Sequence, residues 1–282
     1  MRIVTDRHEF QRELIRERVA GKAIGFVPTM GFLHEGHASL MRRAKDECDL
    51  VAASIFVNPL QFGANEDLDR YPKDRERDTR TCLEAGVDLV LWPDSPEGML
   101  GSGSDFNIQV GPIGDRLCGR TRPGHFDGVA TIVAKLFNLA GPCRAYFGQK
   151  DAQQLVIIRR LAQAFDFPVE VIACPTVRES DGLAMSSRNS YLSSDERRSA
   201  LCLSRALAAG LAAIEAGETD GGRVADAMAE QVRLEPLARL DYAACVDPES
   251  LDDLSTISGE ALLAVAAFVG PARLIDNLTV TR

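Results

Sequence analysis

The sequence predicts an α/β protein: a parallel sheet wrapped by helices, followed by a smaller α+β domain. Three observations carry this reading. Short apolar runs alternate with segments of helical period from residue 24 to residue 174. One of those runs, LVAASIFV at residues 50–57, is apolar almost throughout, as a parallel strand buried on both faces must be. From about residue 176 the pattern changes to long helices followed by three strand-like runs.

Each element has its local cause. Asp6 and Glu9 form a capping box, and Phe10, Leu14, Ile15 and Val19 follow at helical spacing until Gly21. Residues 24–27 are the first strand. They feed a tight loop from Pro28 to His37, and the helix that leaves it carries Leu40, Met41, Ala44 and Cys48 on one face. Residues 50–57 are the second strand, stopped by Asn58-Pro59-Leu60-Gln61-Phe62-Gly63. Residues 74–85 are helical, and residues 87–91 are a third strand closed by Pro93. Residues 94–125 are glycine-rich and aperiodic, a long loop of the kind that is often functional, with a small strand predicted at residues 107–110. Val129, Ile132, Val133, Leu136, Phe137 and Ala140 then form a helical stripe that reads as core. Residues 143–147 are the fourth strand, 152–165 a helix, and 169–174 the fifth strand.

Five strands alternating with helices describe a Rossmann-like parallel sheet, placed in an N-terminal domain at residues 1–175. Ligands of such sheets lie beyond the C-terminal strand ends. The loops starting at Pro28, Asn58, Gly148 and Pro175 all leave such ends. Residues 176–282 make the α+β domain. Ser194-Asp195-Glu196 starts one long helix to about Glu215, and a second spans residues 222–234. Strands are predicted at residues 240–246, 262–269 and 273–280. The last two are antiparallel across the Gly270-Pro271 turn.

Composition narrows the function. Hydrophobic residues are 45% of the 282, enough for a packed core. A net charge of −9 argues against a general nucleic-acid binder. The seven cysteines, Cys48, Cys82, Cys118, Cys143, Cys174, Cys202 and Cys245, are scattered with no Cys-x-x-Cys pair. That pattern favours a reducing cytoplasm over a disulfide framework or a zinc site, and Cys48 and Cys174 read as buried thiols. The N-terminus lacks the apolar core of a signal peptide, and the longest apolar run, residues 261–269, is too short to span a bilayer. A soluble cytoplasmic protein with no membrane partner is expected.

The chemistry is concentrated in the first loop. Two glycines, Gly31 and Gly36, let it turn, and a helix N-terminus offers free N–H groups to a phosphate. His34 and His37, three residues apart, face the same way as donors. The arrangement His34-x-Gly36-His37 resembles the nucleotide-binding signature of nucleotidyltransferases and class I aminoacyl-tRNA synthetases. A zinc site on His34, His37 and His125 would lack any thiolate partner and is the weaker reading.

Further motifs stand in one order: Phe56-Val57-Asn58-Pro59-x-Gln61-Phe62, Tyr71-Pro72, Arg122-Pro123-Gly124-His125-Phe126, Val129-Ala130-Thr131, Tyr146-Phe147-Gly148-x-Lys150-Asp151-x-Gln153-Gln154 and Met185-Ser186-Ser187-Arg188-Asn189. Together with the first loop they resemble the pantothenate synthetase (pantoate–β-alanine ligase) family from about Val27 to the C-terminus. The resemblance implies a Rossmann-like domain with a C-terminal lid domain, usually in a homodimer. It implies an ATP-dependent ligase of pantothenate biosynthesis, with ATP, pantoate and β-alanine as small-molecule substrates and Mg²⁺ as the ion of the triphosphate. Pantoate would attack the α-phosphate to give pantoyl adenylate, and the amine of β-alanine would then displace AMP.

Site residues follow by the same resemblance. His34, His37, Lys150 and Arg188 would be catalytic, with His37 as general acid. ATP would be bound by Met30, Gly31, Phe32, Leu33, His34, Glu35, Gly36 and His37, by Gly148, Gln149, Lys150 and Asp151, by Val177, and by Met185, Ser186, Ser187 and Arg188. The segment from Met185 to Arg188 looks like the counterpart of the mobile phosphate loop of class I synthetases. Gln61, Gln154, Asn58 and Arg122 would hold pantoate or β-alanine. Asp78 stands where members carry a metal-binding carboxylate, although its neighbour is Arg77 and an exposed helix carboxylate is the competing reading. Two other functions are weighed. A nucleotidyltransferase acting on a phosphorylated acceptor would need basic residues near 58–62, where none stands. A nucleotide sensor would not need both the histidines and the Ser-Ser-Arg loop.

Overall fold

The computed structural model describes residues 1–63, 66–101 and 106–282. The chain forms two compact units. One holds Met1–Gly114, Arg122–Gln149 and Ile157–Pro175; the other holds Asp115–Thr121, Lys150–Val156 and Thr176–Arg282.

The first unit contains β1 (Arg2–Val4), α1 (Arg7–Val19), β2 (Ile24–Thr29), α2 (Glu35–Glu47) and β3 (Leu50–Ile55). It continues through α3 (Arg75–Glu84), β4 (Leu89–Leu91) and the short α4 (Pro96–Leu100). The four-residue α5 (Cys118–Thr121) belongs to the second unit, after which α6 (His125–Ala140), β5 (Cys143–Gly148), α7 (Ala152–Ala164, its residues up to Val156 counted with the second unit) and β6 (Val169–Cys174) follow. All six strands are parallel, in the order β1-β4-β3-β2-β5-β6. The order reverses between β2 and β5, which opens a crevice at their C-terminal ends. The loop after β2 and Gly148 at the end of β5 therefore lie where a ligand of this fold binds.

Both sheet faces are covered, which is why the strands read as continuous apolar runs. On one face Leu40, Met41 and Ala44 of α2 pack with Val27, Val51, Ala53, Ile55 and Tyr146. On the other, Phe10 of α1 meets Phe26 of β2 at 6.2 Å between ring centres, and Phe137 of α6 meets Phe147 of β5 at 6.3 Å.

Two details depart from the sequence-based reading of this unit. The sheet gains a sixth strand, β1, whose three residues pair with β4 and are too few to show a period. The strand predicted at residues 107–110 does not form, because its backbone is taken by side chains of α6. Ile108 N–H donates to Thr131 Oγ1 at 2.8 Å and Val110 N–H to Asp127 Oδ1 at 2.8 Å.

The second unit is built on α8 (Ser194–Ala200), α9 (Cys202–Glu215), α10 (Gly221–Arg233), β7 (Ala238–Val246), β8 (Glu260–Val269) and β9 (Ala272–Thr281). The strands form one antiparallel sheet in the order β7-β8-β9. Its core joins Leu203 and Leu207 of α9, Val224 and Met228 of α10, and Leu263 and Val265 of β8. The single helix predicted from Ser194 to about Glu215 is broken at Leu201, whose N–H bonds Arg198 O three residues back instead of continuing the four-residue ladder.

Candidate active site

The loop after β2 is held from below by one carboxylate. Asp78 of α3 is 1% exposed and accepts the N–H of Phe32 at 2.8 Å and of Leu33 at 2.6 Å. Gly31 (φ +82°) and Phe32 (φ +48°) are both left-handed, and a Cβ on Gly31 would stand 3.0 Å from Asp78 Oδ2. Burial pushes the Asp78 carboxyl up from its ordinary 3.8, with the two backbone N–H groups working the other way. This corrects one expectation: Asp78 is not an exposed helix carboxylate, and each of its oxygens is engaged by a backbone N–H group. Among the described residues no group of three or more His, Cys, Asp or Glu could hold a metal ion.

With its backbone pinned, the loop delivers two histidines to the start of α2. His34 is the N-cap: its Nδ1 accepts Gly36 N–H at 3.1 Å. His37 reciprocates, its Nδ1 accepting His34 N–H at 3.3 Å, and the two rings lie 4.1 Å apart. Because backbone N–H groups can only donate, both Nδ1 atoms are acceptors and each neutral ring carries its proton on Nε2. The pair is thus set as two Nε2–H donors at a helix N-terminus. Leu33 is fully buried in the core and donates its N–H to Asp78. Glu35 is exposed and ion-paired with Arg42.

The loop after β3 brings Gln61 to the same region. Asn58 caps the 3₁₀ turn Pro59–Gln61, accepting Leu60 N–H at 3.2 Å. Its Nδ2 donates to Gly128 O at 3.1 Å and to Gln61 Oε1 at 2.9 Å. Gly128 O can only accept, so the Asn58 amide is oriented, and the Gln61 amide with it. Gln61 Nε2 then faces the other way, 3.1 Å from Met30 Sδ in the first loop. A Cβ on Gly128 would stand 2.1 Å from Leu60 O, so only glycine lets α6 approach this turn.

The resemblance puts Asn58 and Arg122 against pantoate or β-alanine, and the structure gives their donors other work. Asn58 is 1% exposed with both amide hydrogens committed. Arg122 forks onto Glu66, Nε to Oε1 at 2.7 Å and Nη2 to Oε2 at 2.6 Å. Burial alone would raise the Glu66 carboxyl, but Arg122 holds it below its ordinary 4.5. Sequence reasoning misses Glu66, which lies 56 residues from Arg122 with no local signal. It picks out His125 within its motif without giving it a part in this network.

In the crevice at the end of β5, a Cβ on Gly148 would meet nothing within 4 Å. In the second unit, Asn277 Nδ2 donates to Lys150 O at 2.8 Å, and Lys150 Nζ lies 3.9 Å from Asp151 Oδ1. The neighbouring glutamines divide. Gln153 is buried, receiving Cys118 N–H at 3.0 Å and donating to Arg116 O at 2.7 Å, whereas Gln154 is half-buried. Residues 177–189 are not a bare polar linker. Met185 N–H bonds Val177 O at 3.0 Å, Arg178 bridges Ala184, and Ser186 Oγ accepts Arg188 N–H at 3.3 Å to cap a 3₁₀ turn. Arg178 forks onto Asp276 at 2.6 and 2.9 Å, tying this segment to β9. Met185, Ser186, Ser187 and Arg188 are all half-buried.

The family model described as Pantoate-beta-alanine ligase matches residues 2–279. The chain is 51% identical over 277 residues to a pantothenate synthetase of Thermoanaerobacter pseudethanolicus, covering 98% of each. It is 56% identical over 257 residues to one from Acidobacterium capsulatum, covering 91% of this chain and 86% of that protein. Among solved structures, a pantothenate synthetase of Thermus thermophilus matches with a TM-score of 0.93 at 49% identity, covering 99% of both chains. A pantoate-beta-alanine ligase from Francisella tularensis, complexed with beta-gamma ATP and beta-alanine, matches with a TM-score of 0.78 at 33% identity, covering 99% of this chain and 97% of that one.

Proposed function

The chain belongs to the pantoate–β-alanine ligase family, and from that premise we propose that it makes pantothenate through a pantoyl-adenylate intermediate. In the first step a carboxylate oxygen of pantoate attacks the α-phosphorus of ATP. The bond to the β-phosphate breaks, and pyrophosphate leaves. In the second step the amine of β-alanine attacks the acyl carbon, loses a proton, and AMP departs with the bridging oxygen.

The observation that carries this reading is the paired histidine cap at the start of α2. Attack at phosphorus needs donors aimed at developing charge more than it needs a protein nucleophile. His34 and His37 offer Nε2–H to the phosphates, and His37 can pass its proton to the departing oxygen. We assign Lys150, Ser186, Ser187 and Arg188 to phosphate oxygens, Gly148 and Val177 to adenosine, and Asp151 to the ribose. Gln61 and Gln154 bind pantoate. A neutral amide orients the carboxylate while leaving its electron density available for attack, which a cation would withdraw. The family resemblance further supports Mg²⁺ bound with ATP, a homodimer and a cytoplasmic location. Asp78 is not assigned to the ion. Among the described residues no helix is long and apolar enough to cross a membrane.

The test is isotope exchange. Labelled pyrophosphate is expected to enter ATP with pantoate present and β-alanine absent. An enzyme that makes pantothenate yet shows no exchange without β-alanine does not use a free-standing first step.

A further inference from the structure

A polar network of the first unit that the proposed chemistry leaves unused surrounds the carbonyl of Gln61. His125, at the start of α6, is 9% exposed and places Nδ1 2.7 Å from Gln61 O. A carbonyl can only accept, so Nδ1 carries the hydrogen. The neutral ring's Nε2 is then an acceptor, and Arg122 Nη1 stands 3.0 Å from it. Arg122 is in turn held by the two oxygens of Glu66, and its Nη2 reaches Gln61 O at 3.4 Å. Donation spreads outward from the guanidinium: Arg122 donates to the Glu66 carboxylate on one side and to the imidazole on the other, and the imidazole donates in turn to the backbone oxygen.

We propose that Glu66, Arg122 and His125 are positioning residues for pantoate, acting through Gln61 without touching substrate. This rests on the reading that the Gln61 amide binds pantoate. The geometry says why the substrate would feel it. The Gln61 side chain is oriented by Asn58, but its backbone position comes from the 3₁₀ turn Pro59–Gln61, and that turn is anchored at its last carbonyl by His125. Freeing the carbonyl lets the turn slide along α6 and moves Nε2 off the line set by Met30. Misplacing one donor by a fraction of an ångström to an ångström costs an orienting site much of its advantage. A plain structural role predicts that pantoate and ATP kinetics suffer together; a positioning role predicts a kinetic loss confined to pantoate, whatever the change in stability.

A double-mutant cycle separates these outcomes. Steady-state kinetics are measured for His125→Leu, His125→Asn, Arg122→Lys and Glu66→Gln, each alone and combined with Gln61→Ala, alongside thermal midpoints. His125→Leu is expected to raise KM for pantoate on the order of 10-fold or more while KM for ATP stays within about 2-fold. His125→Asn can keep an N–H at the Nδ1 position and is expected to recover most of the loss. Glu66→Gln, at the outer and safer end of the relay, is expected to give a smaller rise in the same constant. In the Gln61→Ala background none of these changes is expected to add further damage. If the losses add, or if KM for ATP rises in step, the relay is structural and the inference fails. If Gln61→Ala alone leaves pantoate kinetics normal, the assignment of Gln61 to pantoate falls first and the relay falls with it. Should His125→Leu not fold, Arg122→Lys and Glu66→Gln carry the same cycle.

Discussion

His37 shows how much one backbone contact decides at the level of a single residue. Its Nδ1 is engaged by His34 N–H, so the ring serves the loop with one nitrogen and offers a donor with the other. An asparagine can reproduce the first function and not the second. His37→Asn is therefore expected to keep the α2 cap and the thermal midpoint while pyrophosphate exchange falls roughly 10²–10⁴-fold, the range for losing a catalytic donor. Near-normal exchange in this variant removes His37 from the chemistry. The adjacent glutamines make a second pair of opposites. Gln154→Ala is expected to lower kcat/KM for pantoate on the order of 10- to 150-fold with little change in stability, as for a lost hydrogen bond to a charged group. Gln153→Ala strands the buried Cys118 N–H and Arg116 carbonyl and is expected to cost about 1–3 kcal/mol in urea unfolding. The reverse result would exchange their roles.

Among elements, α3 matters because it presents Asp78 to the loop after β2. In Asp78→Asn one oxygen becomes an NH₂ that faces a backbone N–H. A loss of about 1–3 kcal/mol and a raised KM for ATP are expected, with the Mg²⁺ midpoint of activity unchanged. A shifted Mg²⁺ midpoint at unaltered stability would return Asp78 to the metal. The turn between β3 and α3 has its own pH signature. Arg122 holds the folded-state Glu66 carboxyl below its ordinary 4.5. Its contribution to stability is therefore complete above 4.5 and is lost as pH falls through the lower, folded value. Urea unfolding of the parent and of Glu66→Gln is expected to differ by a constant amount above 4.5 and to converge in acid. A gap that persists unchanged to the lowest pH at which the protein folds would mean that the charge on Glu66 contributes nothing.

For the molecule as a whole, the seven cysteines report on packing rather than chemistry. Burial pushes the thiols of Cys82 and Cys143 up to about 12, and those of Cys202 and Cys245 up to about 11. Thiolate is the reactive species, so burial disfavours reaction of these four in the folded state. Native labelling at about pH 7.5 is expected to leave all four unmodified on a timescale that labels an unfolded thiol completely, and denaturant is expected to release all seven. Rapid native modification of Cys202 or Cys245 would show that the second unit opens without global unfolding.

Elements whose signal is local could be read from the chain alone. The strands at β2, β3, β5 and β6, the helix stripes that cover them, and the three strands at the end were all legible, because burial imprints a period on adjacent residues. So was the order of motifs that placed the chain in its family. Meetings across long separations had to wait for the folded molecule. Asp78 reaches Leu33 over 45 residues, and Glu66 reaches Arg122 over 56. No periodicity encodes such a pair, since the partner is chosen by the strand order β4-β3-β2 and by the place where α6 crosses the 58–62 turn. The same holds for proton positions. His34 and His37 carry theirs on Nε2 and His125 on Nδ1, although all three are the same residue type, because an imidazole takes its tautomer from the backbone groups folded against it.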